Sequence, residues 1–92
     1  MAHFAQIDNT NTVVRVDVVN NAAIDNLPFP ESEPVGQAFI ASLGIDGTWI
    51  QTSYSGSFRN TYAGPGFIFD ATLGEYGEFY DPRPPTPPTV KK

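Results

Sequence analysis

The stretch from Thr48 to Asp70 constrains the fold of this chain more than any other part of the sequence. It holds the only tryptophan, two of the four tyrosines and three of the seven phenylalanines, namely Trp49, Tyr54, Tyr62, Phe58, Phe67 and Phe69. Aromatic side chains bury more apolar area per residue than other side chains, so a small domain draws much of its core from the segment that concentrates them. We therefore predict that this stretch nucleates the core and that Trp49 is largely buried.

The length of the chain limits its stability. With 92 residues it forms one domain, and a domain of this size buries only roughly 60–65% of its unfolded surface. The sequence has no cysteine, which excludes a disulfide framework and thiolate metal sites. Oligomerisation, or docking on a larger body, is the remaining common source of extra stability.

The charge of the chain narrows the classes of partner. A net charge of -5 repels phosphate backbones and anionic membranes, so we expect neither nucleic acid nor a membrane as a partner. No apolar run approaches the roughly 20 residues of a membrane helix, and the first residues lack the basic region of a signal peptide. Synthesis in the cytoplasm follows as an expectation.

The first part of the chain predicts a β-hairpin. Two apolar runs, residues 2–8 and 13–19, flank a polar connection of four residues that contains Asn9 and Asn11, and asparagine tolerates the positive φ of such turns. In the second run valines alternate with charged residues, Val14, Val16 and Val18 against Arg15 and Asp17. This period of two predicts that the three valines form a buried face.

One short helix is predicted between residues 32 and 43, after a loop over residues 20–31 that Ile24, Leu27 and Phe29 fix to the core. Ser32 is a candidate cap, and Pro34 is tolerated in the first turn. The spacing i, i+4, i+8 of Val35, Phe39 and Leu43, with Ala38 and Ile40 beside them, predicts an apolar stripe that docks on the sheet. Gly44 is suited to end the helix in the left-handed conformation.

The second half of the chain predicts four further strands. The segments are Trp49–Tyr54, Phe58–Ala63, Phe67–Asp70 and Tyr76–Tyr80, separated by turns with glycine. The predicted fold class is therefore α+β, a small antiparallel β-sheet domain with one short helix and an extended proline-rich C-terminal tail. The globular domain covers residues 1–81 and the tail residues 82–92, whose prolines favour polyproline II.

The search for chemistry gives no catalytic, cofactor-binding or metal-binding residue. His3 is the only histidine, and its position near the N-terminus is poor for a rigid general base. Asp70, Glu75, Glu78 and Asp81 could together bind a hard cation, but they match no calcium loop, and a solvated acidic edge accounts for them better. We therefore expect a protein that is not an enzyme.

Binding surfaces are the remaining candidates. Exposed aromatic rings can stack on sugars or on a partner's prolines, although most of them are needed for the core. The proline tail can act as a preformed arm that docks on a partner, or as a flexible spacer. The candidate partner-binding residues are Trp49, Tyr54, Phe58, Tyr62, Pro84, Pro85, Pro87 and Pro88.

Several blocks of the sequence carry a resemblance. They are Ala2–Ala5, Trp49–Tyr54, Phe58–Asn60 with Tyr62–Gly64 and Gly66–Phe67, and a terminal Tyr80–Pro82. These blocks resemble a family of small proteins encoded by tailed phages of marine bacteria, particularly cyanobacteria. The resemblance implies a phage origin and a place in the virion, and it brings no catalytic residues.

Two functions are compatible with the resemblance. In the first, the chain is a structural protein that decorates or cements the capsid, bound to neighbouring capsid subunits in many copies. In the second, it is a tail- or fibre-associated module that recognises another virion protein or a host glycan. Either way we expect a virion protein made in the host cytoplasm, oligomeric or bound to an assembly. An enzyme or regulator of the host is disfavoured because the ionisable residues form no recognisable constellation.

Overall fold

The computed structural model describes residues 1–83, and these form an α+β domain, as predicted. Its elements in chain order are β1 (Ala2–Ile7), β2 (Val13–Val19), a short 3-10 helix (Asn21–Ile24), α1 (Ser32–Ser42), β3 (Thr48–Thr52), β4 (Ile68–Asp70) and β5 (Glu78–Tyr80). Three strands form an antiparallel sheet in the order β2-β1-β3, and β4 pairs with β5 in a second antiparallel sheet.

The three-stranded sheet separates two hydrophobic clusters. Phe4 and Ala5 are neighbours on the central strand, both are 0% exposed, and they belong to different clusters. Successive side chains of a strand point to opposite faces, so β1 is covered on both sides. The cluster on the side of α1 consists of Ala2, Phe4, Val19, Ile24, Ile40 and Trp49. The cluster on the other side consists of Ala5, Ile7, Val13, Ala63, Phe69 and Phe79.

The predicted β1–β2 hairpin is confirmed, but its predicted buried face is wrong. Val14 and Val18 are 49% and 52% exposed, whereas Val13 and Val19, at the two ends of β2, are buried. One cause is that β2 is an outer strand whose free edge, unlike that of β3, is not covered by side chains of the described residues. Val14 is in addition the extra residue of a β-bulge, and Val16 packs only partly, against the cluster on the side away from α1. The alternation predicted a strand correctly and did not reveal that the strand lies at an edge.

The helix is confirmed, and the predicted stripe docks only in part, through Val35 and the neighbouring Ile40. Its buried residues are Ser32, Gly36 and Ile40, while Phe39 and Leu43 are 36% and 58% exposed. Small residues bring the helix close to the sheet, since a side chain at Gly36 would overlap the Phe4 ring.

The two helix ends differ in how well they follow the prediction. The predicted cap is wrong, because Ser32 is a buried helical residue that donates a hydrogen bond to Gln51 Oε1 at 2.7 Å. At the other end, Gly44 has φ +77° just past the helix, as expected.

The loop before the helix follows the prediction only in part. Ile24 is buried in the α1-side cluster and Phe29 is partly buried. Leu27, predicted to fix the loop to the core, is 37% exposed. The segment that contains Ile24 is not a plain loop, because Ile24 is the last residue of the short 3-10 helix, which the sequence did not predict.

Two predictions in the second half of the chain need correction or lie outside the structure. Residues 58–63 form no strand, because Arg59 and Asn60 have φ values of 57° and 76°, which interrupt an extended backbone. The later hairpin forms as predicted, with shorter strands. The tail prolines Pro84, Pro85, Pro87 and Pro88 lie outside the described residues.

Candidate functional site

Three rings meet at the end of the sheet where β1 begins and β3 ends. The rings of His3 and Tyr54 stack at 5.6 Å between centroids, and Tyr62 stands edge-on to both, at 5.7 Å from His3 and 5.2 Å from Tyr54. Tyr54 is 73% exposed, more than any other large apolar side chain in the described part of the chain. We call His3, Tyr54 and Tyr62 the aromatic surface.

A serine-rich turn holds Tyr54 in this position. The hydroxyl of buried Ser53 accepts a hydrogen bond from the Ser57 backbone N–H at 3.0 Å and lies 2.8 Å from the Ser57 hydroxyl. Gly56 has φ +73° within this turn, a conformation that glycine adopts without strain. The exposed Tyr54 ring thus stands on a fixed backbone.

Hydrogen bonds to β3 hold Tyr62 in the same way. The Ala63 N–H donates to Thr52 Oγ1 at 3.0 Å, and the Thr52 hydroxyl donates to the Thr61 carbonyl at 3.5 Å. Both neighbours of Tyr62 are therefore anchored to the last residue of β3. The two tyrosines, eight positions apart in the chain, become neighbours because both are tied to this end of the strand.

An open depression of about 340 Å³ lies beside the aromatic surface. Met1, His3, Ser53, Tyr54 and Phe58 are among its lining residues. Its lining has one histidine and several hydroxyls, and no hydrogen bond joins His3 to a carboxylate within residues 1–83. The depression therefore offers stacking and hydrogen-bonding groups suited to contact with a partner.

Burial sets the ionisation of the one histidine. Partial desolvation, and then the positive charge of the N-terminus, hold the pKa of His3 below its usual value of 6.5. Both effects disfavour the imidazolium form. His3 therefore presents a neutral ring to Tyr54 at neutral pH, and their contact is an aromatic stack.

The predicted partner-binding residues lie in different parts of the structure. Tyr54 and Tyr62 belong to the aromatic surface. Phe58 lines the same depression, while its own ring stacks on Phe29 at 3.8 Å with an interplanar angle of 4°. Trp49 is 5% exposed in the α1-side cluster, which confirms its predicted burial and keeps it off the aromatic surface. His3, placed on this surface by the structure, was not among the predicted binding residues.

A buried ion pair was missed at the sequence level. Arg59 Nη1 and Nη2 donate to Glu33 Oε2 and Oε1, the second at 3.1 Å, and the two side chains are 7% and 17% exposed. Arg59 also donates to the Gln51 carbonyl and to the Tyr76 carbonyl, each at 2.9 Å. No sequence signal links residues 26 positions apart, and the predicted strand over residues 58–63 hid the role of Arg59.

The same pair closes one edge of the sheet. Glu33 Oε2 accepts a hydrogen bond from the Gln51 N–H at 2.8 Å, and Arg59 donates one to the Gln51 carbonyl. Gln37 Nε2 donates a hydrogen bond to the Trp49 carbonyl at 2.7 Å. An edge strand presents unpaired backbone groups to other strands unless something covers them. Side chains therefore take the place of a neighbouring strand along β3.

The part of the chain that the structure describes holds neither a cluster of three possible metal ligands nor a membrane-spanning helix. Across residues 1–83, no group of three or more histidine, aspartate and glutamate side chains is placed to bind a metal ion. Asp70 instead accepts hydrogen bonds from the Thr72 hydroxyl at 2.6 Å and from the Thr72 N–H at 2.9 Å, which lower the pKa of Asp70.

Comparisons with known proteins give no relative. No family model matches the chain, and neither a curated protein nor a solved structure matches it. The class of this protein is therefore defined by its fold and its site. It is a small α+β domain with both faces of its sheet covered and a rigid, exposed aromatic surface at one end.

Proposed function

We propose that this chain is a structural protein of a phage virion without enzymatic activity, and specifically a protein that decorates or cements the capsid. The aromatic surface is the single observation that carries the proposal of protein binding. The resemblance of the sequence blocks to proteins of tailed marine phages supports the virion as its location.

The exposure of Tyr54 favours a binding role because a small domain has few aromatic rings to spare. Tyrosine is enriched at the centres of protein interfaces, where a ring buries a large area and its hydroxyl finds a polar partner. The fixed turn at Ser53–Ser57 lowers the entropy that binding would otherwise cost. Proline, arginine or aromatic side chains of a capsid subunit have the chemistry to stack on this ring.

The experiment is attachment of the purified chain to phage particles that lack it, with Tyr54→Ala as the test. Tyr80→Ala is the matched control, since Tyr80 is 39% exposed on β5 and lies outside the aromatic surface. We expect Tyr54→Ala to weaken attachment at least tenfold with an unchanged melting temperature, and Tyr80→Ala to attach like the original chain. Equal attachment of both variants would exclude the aromatic surface as the contact.

The proline-rich segment is the second part of the proposal. We propose that residues 82–92 anchor the domain to a neighbouring subunit, because a proline backbone has little conformational freedom left to lose on binding. Deletion of these residues is expected to weaken attachment at least tenfold while the melting temperature of the free domain stays the same. Undiminished attachment would make the segment a spacer.

A tail- or fibre-associated module is the second candidate, and the stacked rings of His3 and Tyr54 favour it where the ligand is a sugar. Copy number separates the two candidates, since a decoration protein is present in hundreds of copies per particle and a tail component in a few. Quantification of the chain in purified particles by mass spectrometry decides between them. Host glycan binding that Tyr54→Ala abolishes, together with a low copy number, would replace the capsid proposal.

A further inference from the structure

The outer edge of β2 is the open edge of the three-stranded sheet. At its first residue the edge is occupied, because the Val13 N–H donates to the Phe67 carbonyl and the Val13 carbonyl accepts from the Gly66 N–H, both at 2.8 Å. From Val14 to Val19, no residue of the described chain hydrogen-bonds to this edge. Over these residues β2 therefore has a free backbone edge, whereas side chains cover the edge of β3.

The side chains along this edge are those of a strand that pairs with another strand. Val14 and Val18 are about half exposed, and β-branched residues are suited to a paired strand. Between them, Arg15 and Asp17 form an ion pair of 3.0 Å between Nη2 and Oδ2, with side chains 50% and 43% exposed. No proline interrupts the edge, and its only charges are this opposite pair.

We propose that β2 pairs with β2 of a second copy of this chain, antiparallel and around a two-fold axis at Val16. The sequence around Val16 is complementary to itself when reversed. In this register Arg15 lies opposite Asp17 of the second copy, and Asp17 lies opposite Arg15 of the second copy. Val14 is the extra residue of a β-bulge between the pairs Gln6–Arg15 and Ile7–Val13, and it lies outside the regular pairing. Residues opposite each other in an antiparallel pair have Cβ atoms about 4.5–5.5 Å apart, close enough for both ion pairs.

Charge selects this register over its neighbours. In an antiparallel pair, residues directly opposite each other either both share hydrogen bonds or both lack them. When a strand pairs with its own copy, the two-fold axis must therefore lie between two copies of the same residue. An axis at Arg15 would place two arginines opposite each other, and an axis at Asp17 two aspartates, and like charges opposite each other destabilise a sheet. Only the axis at Val16 brings opposite charges together.

The test is sedimentation equilibrium of the full chain over a wide range of concentrations. We expect a reversible dimer that Asp17→Arg weakens at least tenfold, since each edge then carries two positive charges. Arg15→Asp gives the corresponding edge with two negative charges, and we expect the two single variants to form a mixed dimer when combined. The double variant Arg15→Asp with Asp17→Arg restores complementarity, and we expect it to form a dimer by itself.

Two controls separate this pairing from other contacts. Arg15 also lies over the Trp49 ring, 5.1 Å from its centroid, so the melting temperature of every variant is measured to exclude loss of folding. Tyr54→Ala removes a contact of the aromatic surface and is expected to leave the dimer unchanged. A chain that stays monomeric at millimolar concentration overturns the proposal, as does a dimer that Asp17→Arg leaves intact.

Discussion

Arg59 and Glu33 form a bidentate ion pair that joins the segment after β3 to the first turn of α1. Both side chains are nearly buried, and Arg59 is also placed over the rings of Phe29 and Phe69, at 5.0 and 5.2 Å from their centroids. The pair therefore connects the helix, the edge of β3 and the second sheet. Its geometry matches the planar fork of arginine, which lysine does not reproduce.

We expect removal of one partner of this ion pair to be strongly destabilising. Glu33→Ala leaves the Arg59 charge buried and the Gln51 N–H without its acceptor, a loss of about 3–5 kcal/mol in the free energy of unfolding. Urea denaturation measures it. The double variant Glu33→Leu with Arg59→Met is the control. Its loss in the free energy of unfolding should be smaller than the summed losses of the single variants Glu33→Leu and Arg59→Met, because no unpaired charge remains. A cost of Glu33→Ala below about 1 kcal/mol would contradict the buried pair.

Two neighbouring helix residues should respond very differently to truncation. Ile40 is 4% exposed in the α1-side cluster, and Phe39 is 36% exposed. We expect Ile40→Ala to cost about 2–5 kcal/mol, and Phe39→Ala about 1 kcal/mol or less. The two variants are compared by their urea midpoints. A larger loss for Phe39→Ala would show that the helix docks by the stripe that the sequence predicts.

Gly36→Ala should destabilise the domain although alanine favours a helix by about 1 kcal/mol over glycine. The added methyl group would overlap the Phe4 ring, and such overpacking typically costs about 1–3 kcal/mol. Phe4→Leu opens space at this contact. In thermal denaturation of the four chains of this double-mutant cycle, the loss from Gly36→Ala should be smaller in the Phe4→Leu background. Additive losses would mean that the two positions do not touch.

Acidification should weaken the fold through His3. Because the pKa of His3 is lowered in the folded chain, the unfolded chain takes up a proton first as the pH falls through 6.5. The contribution of His3 to stability is therefore complete above this pH and is lost between 6.5 and the lower folded pKa. An NMR titration of the His3 ring should give a pKa below 6.5. His3→Gln should remove this part of the pH dependence, and a folded pKa at or above the usual value would contradict it.

The sequence predicted elements better than contacts. Alternation at residues 13–19 identified a strand, and the spacing of Val35, Phe39 and Leu43 identified a helix. The buried face was wrong for the strand and only partly right for the helix, because burial depends on which neighbours a segment meets. The helix docks through Ser32, Gly36 and Ile40, and the two small residues among them leave no mark in a pattern of apolar periodicity.

The candidate site was predicted in part for the same reason. Tyr54 and Tyr62 were identified by type, since exposed aromatic rings are typical of interfaces. Their grouping with His3 depends on the pairing of His3 with Thr52 across β1 and β3, which no local pattern encodes. The left-handed conformations at Arg59 and Asn60 likewise depend on the ion pair with Glu33 and on the Asn60 side-chain hydrogen bond to the Phe79 carbonyl at 3.0 Å.

The closure of β3 by side chains limits how far this sheet can be extended. A subunit with one open edge can add one copy and then has no edge left, so assembly through β2 terminates at a closed pair. A subunit with two open edges has no such limit and can polymerise into a fibre. Glu33 and Arg59 thus restrict extension of the sheet to the β2 side, and their loss would give each subunit two open edges.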